Sequence, residues 1–386
     1  VRTAPSFIAD NSLYENTSYI PPQADELTRR EGETVMAFIT AAKKRGIKVW
    51  LQVQAAIPPG YRVQFGGPSE ADRPLGPTGE PGPTRVDANA SLAAPDVLEY
   101  GRAMMKDLAR AYPEIDGIRL DWPEYPPYHA HALFFDFSEH ALAVASSLDI
   151  DVERMRRHAI QLQDLLSKGL TNGLLSRSRL IDEPLLNKAL AAYPGGLDLL
   201  RLRRRLSGNL LSAFRAALPK KMSLVPQTFP PPFQLLSGFD MASAAPLVQG
   251  IGVKFYTMHW PMILADYARA MSVGSADGTA IAKALVPAFG TGENLPTDTS
   301  QFHYPEPDEV HTASNHAIAQ KIATARDAAG KCPVYAFTHA YGPQDDVIRR
   351  ARACWEASDR KMWVNRYGYM SDGKLSAFGQ LVRSCG

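Results

Sequence analysis

Short runs of β-branched and aromatic residues recur along the chain, each closing on polar or aromatic positions and followed by a loop and a segment of helical period. Eight such runs stand out, at residues 1–7, 47–54, 117–122, 222–228, 251–259, 284–289, 333–339 and 361–369. Between them, apolar positions three and four apart predict amphipathic helices at 31–45, 95–111, 261–271, 310–329 and 345–357, with 375–382 closing the chain. Strands that alternate with helices build a parallel sheet, and eight such units predict an α/β fold, a (β/α)8 TIM barrel in which residues 1–386 form one catalytic domain. The near-continuous apolar runs suit strands covered on both faces. A doubly wound sheet would want a GxGxxG turn after an early strand, and the sequence has none.

Two intervals exceed ordinary connections. Residues 55–94, after the second run, are rich in Pro and Gly, and a loop of that length in a compact domain is usually functional or disordered. Tyr61, Phe65 and Asp87 within it favour an ordered active-site lid or cleft wall. Residues 126–220, after the third run, read as a mainly helical insertion beside the barrel mouth. Its basic stretch Arg201-Leu202-Arg203-Arg204-Arg205 reads as a solvated helix face.

Composition narrows the function. With 42 Lys+Arg against 40 Asp+Glu the formal charge is +2, which argues against a nucleic-acid partner. No stretch approaches the ~18 consecutive apolar residues of a membrane span. Proline is in excess, 30 of 386 residues, and clusters in the long connections. Cys332, Cys354 and Cys385 carry no CxxC or His spacing for zinc, and are compatible either with one disulfide or with three reduced thiols. The chain opens at Val1 without an initiator Met, which we read as processing of an upstream segment, so the expected location is secreted or periplasmic.

In a barrel the chemistry sits at the C-terminal strand ends and in the loops beyond them. The third run continues as Ile118-Arg119-Leu120-Asp121-Trp122-Pro123-Glu124-Tyr125. Alternation turns Arg119 and Asp121 to one side, where the cation would hold the carboxylate ionised, as suits a nucleophile or an electrostatic stabiliser. Glu124, flanked by Trp122 and Tyr125, would have its pKa raised by burial, as suits a general acid. The other ends offer Gln52, Gln54, Gln227, His259, Trp260, His339, Tyr341, Asn365, Arg366 and Tyr367. Amides and aromatics converging on one mouth suit sugar hydroxyls and ring faces. Candidates for the acid that partners Asp121 are Glu124 and Glu293 first, then Asp298 and Asp87. His129-Ala130-His131 supplies no further ligand at a fixed spacing, and no metal or other cofactor is expected.

A resemblance is carried by two stretches: Val86-Asp87-Ala88-Asn89-Ala90-Ser91-Leu92-Ala93-Ala94-Pro95-Asp96-Val97-Leu98-Glu99-Tyr100, and Tyr112-Pro113-Glu114-Ile115-Asp116-Gly117-Ile118-Arg119-Leu120-Asp121-Trp122-Pro123-Glu124-Tyr125-Pro126. Together they resemble the bacterial glycosyl-hydrolase-like barrel proteins, which carry a similar helix start and a similar Asp-Gly-Ile-x-Leu-Asp strand. The strand also resembles the one that bears the catalytic Asp in amylase-type barrels. The resemblance implies a (β/α)8 glycoside hydrolase acting on an oligo- or polysaccharide. This chain departs from the family pattern at Glu124, where an Arg is usual, so the ligand's charge is left open. The expected function is therefore hydrolysis of a glycosidic bond by a carboxylate pair centred on Asp121, with Gln52, Gln54, Arg119, Trp122, Tyr125, Gln227, His259, Trp260, His339, Tyr341 and Arg366 binding substrate. The alternatives are a non-catalytic carbohydrate-binding barrel and a metal-dependent barrel hydrolase or lyase.

Overall fold

A computed structural model describes residues 5–59, 67–82 and 89–384. Six strands form one sheet in chain order, every neighbouring pair parallel: β1 (Trp50–Gln54), β2 (Gly117–Asp121), β3 (Ser223–Thr228), β4 (Ile251–Lys254), β5 (Val334–His339) and β6 (Met362–Asn365). Helices cross between successive strands, as parallel pairing demands. The sheet is curled. In a flat sheet, five inter-strand steps would hold β1 and β6 ~24 Å apart. Instead the rings of Trp50 on β1 and Trp363 on β6 meet edge to face at 5.6 Å. The Arg119 guanidinium on β2 lies 4.1 Å from the centre of the Phe337 ring on β5. Both contacts cross an enclosed interior.

Eight strands were expected and six are present among the described residues. The run 284–289 is not a strand but the end of helix Gly278–Phe289. Ile281, Ala282, Leu285, Val286 and Phe289 are all buried, a spacing of four that a helix turns to one side. Asp277 caps its start and Gly290, at φ 56°, ends it. A six-residue apolar run fits a strand and a buried helix turn equally well, so periodicity could not arbitrate. Of the run 1–7, residues 5–7 are not in a strand and 1–4 lie outside the described residues.

The interval 55–94 is tied down at its described parts: the Ala90 amide donates to the Ala56 carbonyl at 2.7 Å and the Ser91 amide to that of Asp72 at 2.7 Å. Tyr61, Phe65 and Asp87 lie outside the described residues. The interval 126–220 is largely helical, with Glu139–Ser147, Val152–Asp164 and the 24-residue Pro194–Ala217 as its main helices. The last packs on Pro95–Ala111, and Gly101 makes the close approach feasible, because a Cβ there would stand 2.3 Å from Phe214 Cζ. The basic stretch on Pro194–Ala217 is not wholly a solvated face. Arg201 and Arg205 are exposed, but Arg203 is fully buried, donating to the Leu133 carbonyl and lying 5.0 Å over the Tyr125 ring.

Candidate functional site

The register of the parallel ladder decides which side chains meet. Gln54 on β1 pairs with Asp121 on β2, and Asp121 with Gln227 on β3, so the three share one layer on the inner face. Asp121 has three donors: Gln52 Nε2 at 3.2 Å, the Trp122 amide at 3.1 Å and Lys254 Nζ at 3.1 Å. Lys254 closes β4, two strands away, and reaches Asp121 because the sheet curls. It is buried, with Phe229 4.4 Å and Trp122 5.5 Å from its ammonium. The cation paired with Asp121 is therefore Lys254 and not Arg119, whose guanidinium stacks on Phe337 and Trp363 instead. Gly252, one layer below Lys254, makes room for that stack: a Cβ there would lie 2.6 Å from the Phe337 ring.

Directly after Asp121 the chain turns through Trp122 at φ 51°, a left-handed conformation that costs a non-glycine residue about 1–2 kcal/mol. The turn carries Glu124 back under the strand ends. Glu124 is fully buried and accepts from Thr228 Oγ1 at 2.6 Å, the Phe229 amide at 3.0 Å and the Ser237 hydroxyl, with Lys254 Nζ at 3.9 Å. Burial pushes its carboxyl up, while Lys254 and the three donors pull the other way. Because one ammonium serves both acids, the Asp121 and Glu124 carboxylates lie within about 7 Å of each other. Every acceptor site of Glu124 faces protein, so it holds Lys254 in place rather than facing the mouth.

Several buried polar atoms near Asp121 have no partner among the described residues: Gln54 Oε1, both amide atoms of Gln227, and Arg119 Nε and Nη2. Buried polar groups are normally satisfied, so unpartnered ones lining an interior mark where a ligand or water bonds. Above this layer stands an aromatic rim. His259 contacts Tyr128, Tyr256 and Tyr304, and His339 contacts Tyr256 and Tyr369. His339 Nδ1 accepts from the Tyr341 amide at 3.0 Å, so its proton resides on Nε2, and burial lowers its pKa to about 3. Asn365 Nδ2 donates to the Tyr256 hydroxyl at 2.7 Å, leaving the phenol proton to point elsewhere. Arg366, also at φ 68°, is exposed beside them.

No protein-family model and no curated protein matches the sequence. Among the solved structures that align with this chain are two glycan-acting enzymes. A β-galactosidase from the psychrophilic Marinomonas ef1 aligns with a TM-score of 0.50 and 13% identity, over 94% of this chain and 49% of that one. The catalytic domain of a β-amylase from Paenibacillus polymyxa gives 0.48 and 11% identity, over 94% and 86%. This chain thus spans about half the length of the β-galactosidase. At such identity the first likeness speaks for a shared fold.

The structure brings together Gln52, Gln54, Arg119, Asp121, Trp122, Gln227, His259, His339, Tyr341 and Arg366 at one end of the sheet. It does not bring Tyr125, Trp260 or Glu293 to their expected places. Tyr125 is buried, donating to Asp136 Oδ2 at 2.9 Å beneath Arg203. Trp260 is a core residue on helix His259–Met271, against the Lys321 ammonium. Glu293 follows a helix rather than a strand, is exposed, and accepts from Ser314 Oγ at 3.0 Å. Asp298 caps a short 3-10 turn. His129 is engaged with Asp266 at 2.9 Å and stacks on His131. Sequence reading missed Lys254. The signal was present: a lone cation in an apolar strand run, in phase with Gly252 and Tyr256. Cys332 and Cys354 are free thiols, and Cys385 lies outside the described residues.

Proposed function

We propose that the chain is a glycoside hydrolase, with Asp121 as the carboxylate that acts at the anomeric carbon or on the attacking water. The observation that carries the reading is the Asp121 layer itself: one carboxylate fixed by Lys254 and Gln52, flanked by the unsatisfied Gln54 Oε1 and the unsatisfied amide of Gln227, beneath an aromatic rim. Paired acceptor and donor atoms match sugar hydroxyls, and the rim offers faces for sugar C–H groups. The fold likeness to a β-galactosidase supports the same class. Lys254 forms an ion pair with Asp121, and Glu124 holds Lys254 from behind.

The test is turnover of a panel of aryl glycosides and oligosaccharides by wild type and Asp121→Asn, with melting curves showing that both are folded. Loss of an essential carboxylate costs about 10³-fold or more in kcat/KM. Turnover within about threefold of wild type would remove Asp121 from the chemistry.

The burial of Glu124 favours a second reading, a barrel that binds a glycan without cleaving it. Binding by calorimetry with no product after prolonged incubation would select it.

A further inference from the structure

Three arginines of the basic stretch surround a cleft in the helical insertion. Arg201, Arg204 and Arg205, on the helix Pro194–Ala217, line a cavity of about 570 Å³ together with Asn209 and Ser212 of the same helix and Asn187 of the helix Glu183–Ala189. Positions 201, 204, 205, 208 and 212 are spaced three and four apart, so they share one helix face, with neighbouring Cβ atoms about 5–6 Å apart. The opposite face carries Arg203 and Ser207, which are buried against the Asp121 side of the molecule. The charges can be counted pair by pair. Arg204 Nη1 meets Glu183 Oε1 at 2.7 Å, and Asp198, the one acid among the described residues that line the cleft, meets Arg154 Nη2 at 2.7 Å. Asp240, behind the lining residue Ser243, accepts from the Ser243 hydroxyl and from two amides at the start of the helix Met241–Ala244. Arg201 and Arg205 are exposed, and neither guanidinium has a hydrogen bond or ion pair among the described residues. Like charges one turn apart repel, so the bare face is strained in a way that an anion between them relieves. Gly208 lies in the floor of the same cleft. A Cβ there would meet nothing within 4 Å, so no packing contact requires glycine at a helix position that favours alanine. Its effect is to leave the floor open.

We infer that this cleft binds a phosphate monoester of a sugar, with the phosphate between Arg201 and Arg205 and the sugar hydroxyls on Asn187, Asn209 and Ser212. A phosphate monoester carries about −1.5 to −2 at neutral pH, which matches two unpaired guanidinium groups better than the single charge of a carboxylate, and its oxygens suit their forked N–H groups. The amides and the serine hydroxyl both donate and accept, as sugar hydroxyls require. No aromatic side chain of the described residues lines the cleft, so a nucleotide base would find no ring to stack on. The cleft shares no residue with the Asp121 layer, and the inference stands apart from the glycan reading above.

The test is titration calorimetry of the wild-type chain at low ionic strength with glucose 6-phosphate, galactose 6-phosphate, inorganic phosphate and glucose. At least one of the two esters is expected to bind about 10-fold or more tightly than inorganic phosphate, and glucose not to bind. Arg201→Gln and Arg205→Gln, at exposed positions, are each expected to weaken that binding about 10- to 100-fold through loss of a charge-assisted hydrogen bond, whereas Arg177→Gln, the same charge change at an exposed arginine outside the cleft, should leave it within about twofold. Gly208→Gln is expected to raise the melting temperature, because a good helix former replaces glycine, and to weaken binding about 10-fold or more by filling the floor. Equal losses in Arg177→Gln and Arg201→Gln would reduce the binding to general charge attraction and overturn the site, as would unchanged affinity in Gly208→Gln. Equal affinity for inorganic phosphate and both esters, or no binding of any probe, overturns the sugar phosphate. Each of these outcomes leaves the reading of Asp121 untouched, since turnover is measured separately.

Discussion

Lys254 is the residue on which the site's electrostatics turn. A buried ammonium between two carboxylates is tolerable only while both partners remain, because stranding one charge in a low-dielectric interior costs about 3–5 kcal/mol. Lys254→Met should therefore destabilise the fold by that amount, and Glu124→Gln, which leaves Asp121 alone to balance the ammonium, by less. The two changes together should cost less than their sum, with a coupling of about 0.5–3 kcal/mol read from urea unfolding in a double-mutant cycle. Strict additivity would mean that Glu124 does not hold Lys254. Such a pair is invisible to local reading. Glu124 and Lys254 are far apart in sequence, and the nearby Arg119, whose charge does interact with Asp121, drew attention from the direct ion pair with Lys254.

At the level of elements, the tight contact between helices Pro95–Ala111 and Pro194–Ala217 anchors the insertion to the strand that bears Asp121. Ser207 on the second helix donates to the Pro123 carbonyl at 2.6 Å, bracing the turn after Asp121. Gly101→Ala gains about 1 kcal/mol of helix propensity. Its Cβ would nevertheless meet Phe214 at 2.3 Å, and overpacking costs about 1–3 kcal/mol. The expected result is a net loss of stability in urea melts, relieved in the double change with Phe214→Leu. A stabilised Gly101→Ala would show that the helices can part freely. The run 284–289 teaches a related lesson. Its apolar residues are as suited to a helix as to a strand, and the deciding fact was the cap at Asp277 seven residues upstream.

Across the molecule, acid sensitivity follows from buried histidines. Burial depresses both His311 and His339 from 6.5 to about 3, while the unfolded chain protonates them near 6.5. Below pH 6.5 the unfolded state binds more protons, so stability is complete above that pH and falls as pH drops toward 3. Glu124, with its carboxyl raised, works against this, since it releases its proton less readily in the folded state. The net slope is one to two protons, about 1.4–2.7 kcal/mol per pH unit near pH 5. Urea unfolding at pH 7.5, 6 and 5 checks it, and stability that rises on acidification would contradict the burial of both imidazoles.

The hydrophobic pattern alone determined that strands and helices alternate in a parallel arrangement, that residues 126–220 are helical, and that Asp121 ends a strand with its side chain turned the same way as Arg119. These are properties of periods 2 and 3.6, which residues close in sequence set between themselves. The tertiary structure decided the rest. It showed that the described strands number six and that Glu124, Tyr125 and Trp260 are buried. It also showed that Lys254 reaches Asp121 and that Arg119 stacks on Phe337 and Trp363. Each of these depends on the curl of the sheet and on which charges it brings within a few ångströms, and Coulomb and desolvation terms answer to that distance rather than to separation along the chain.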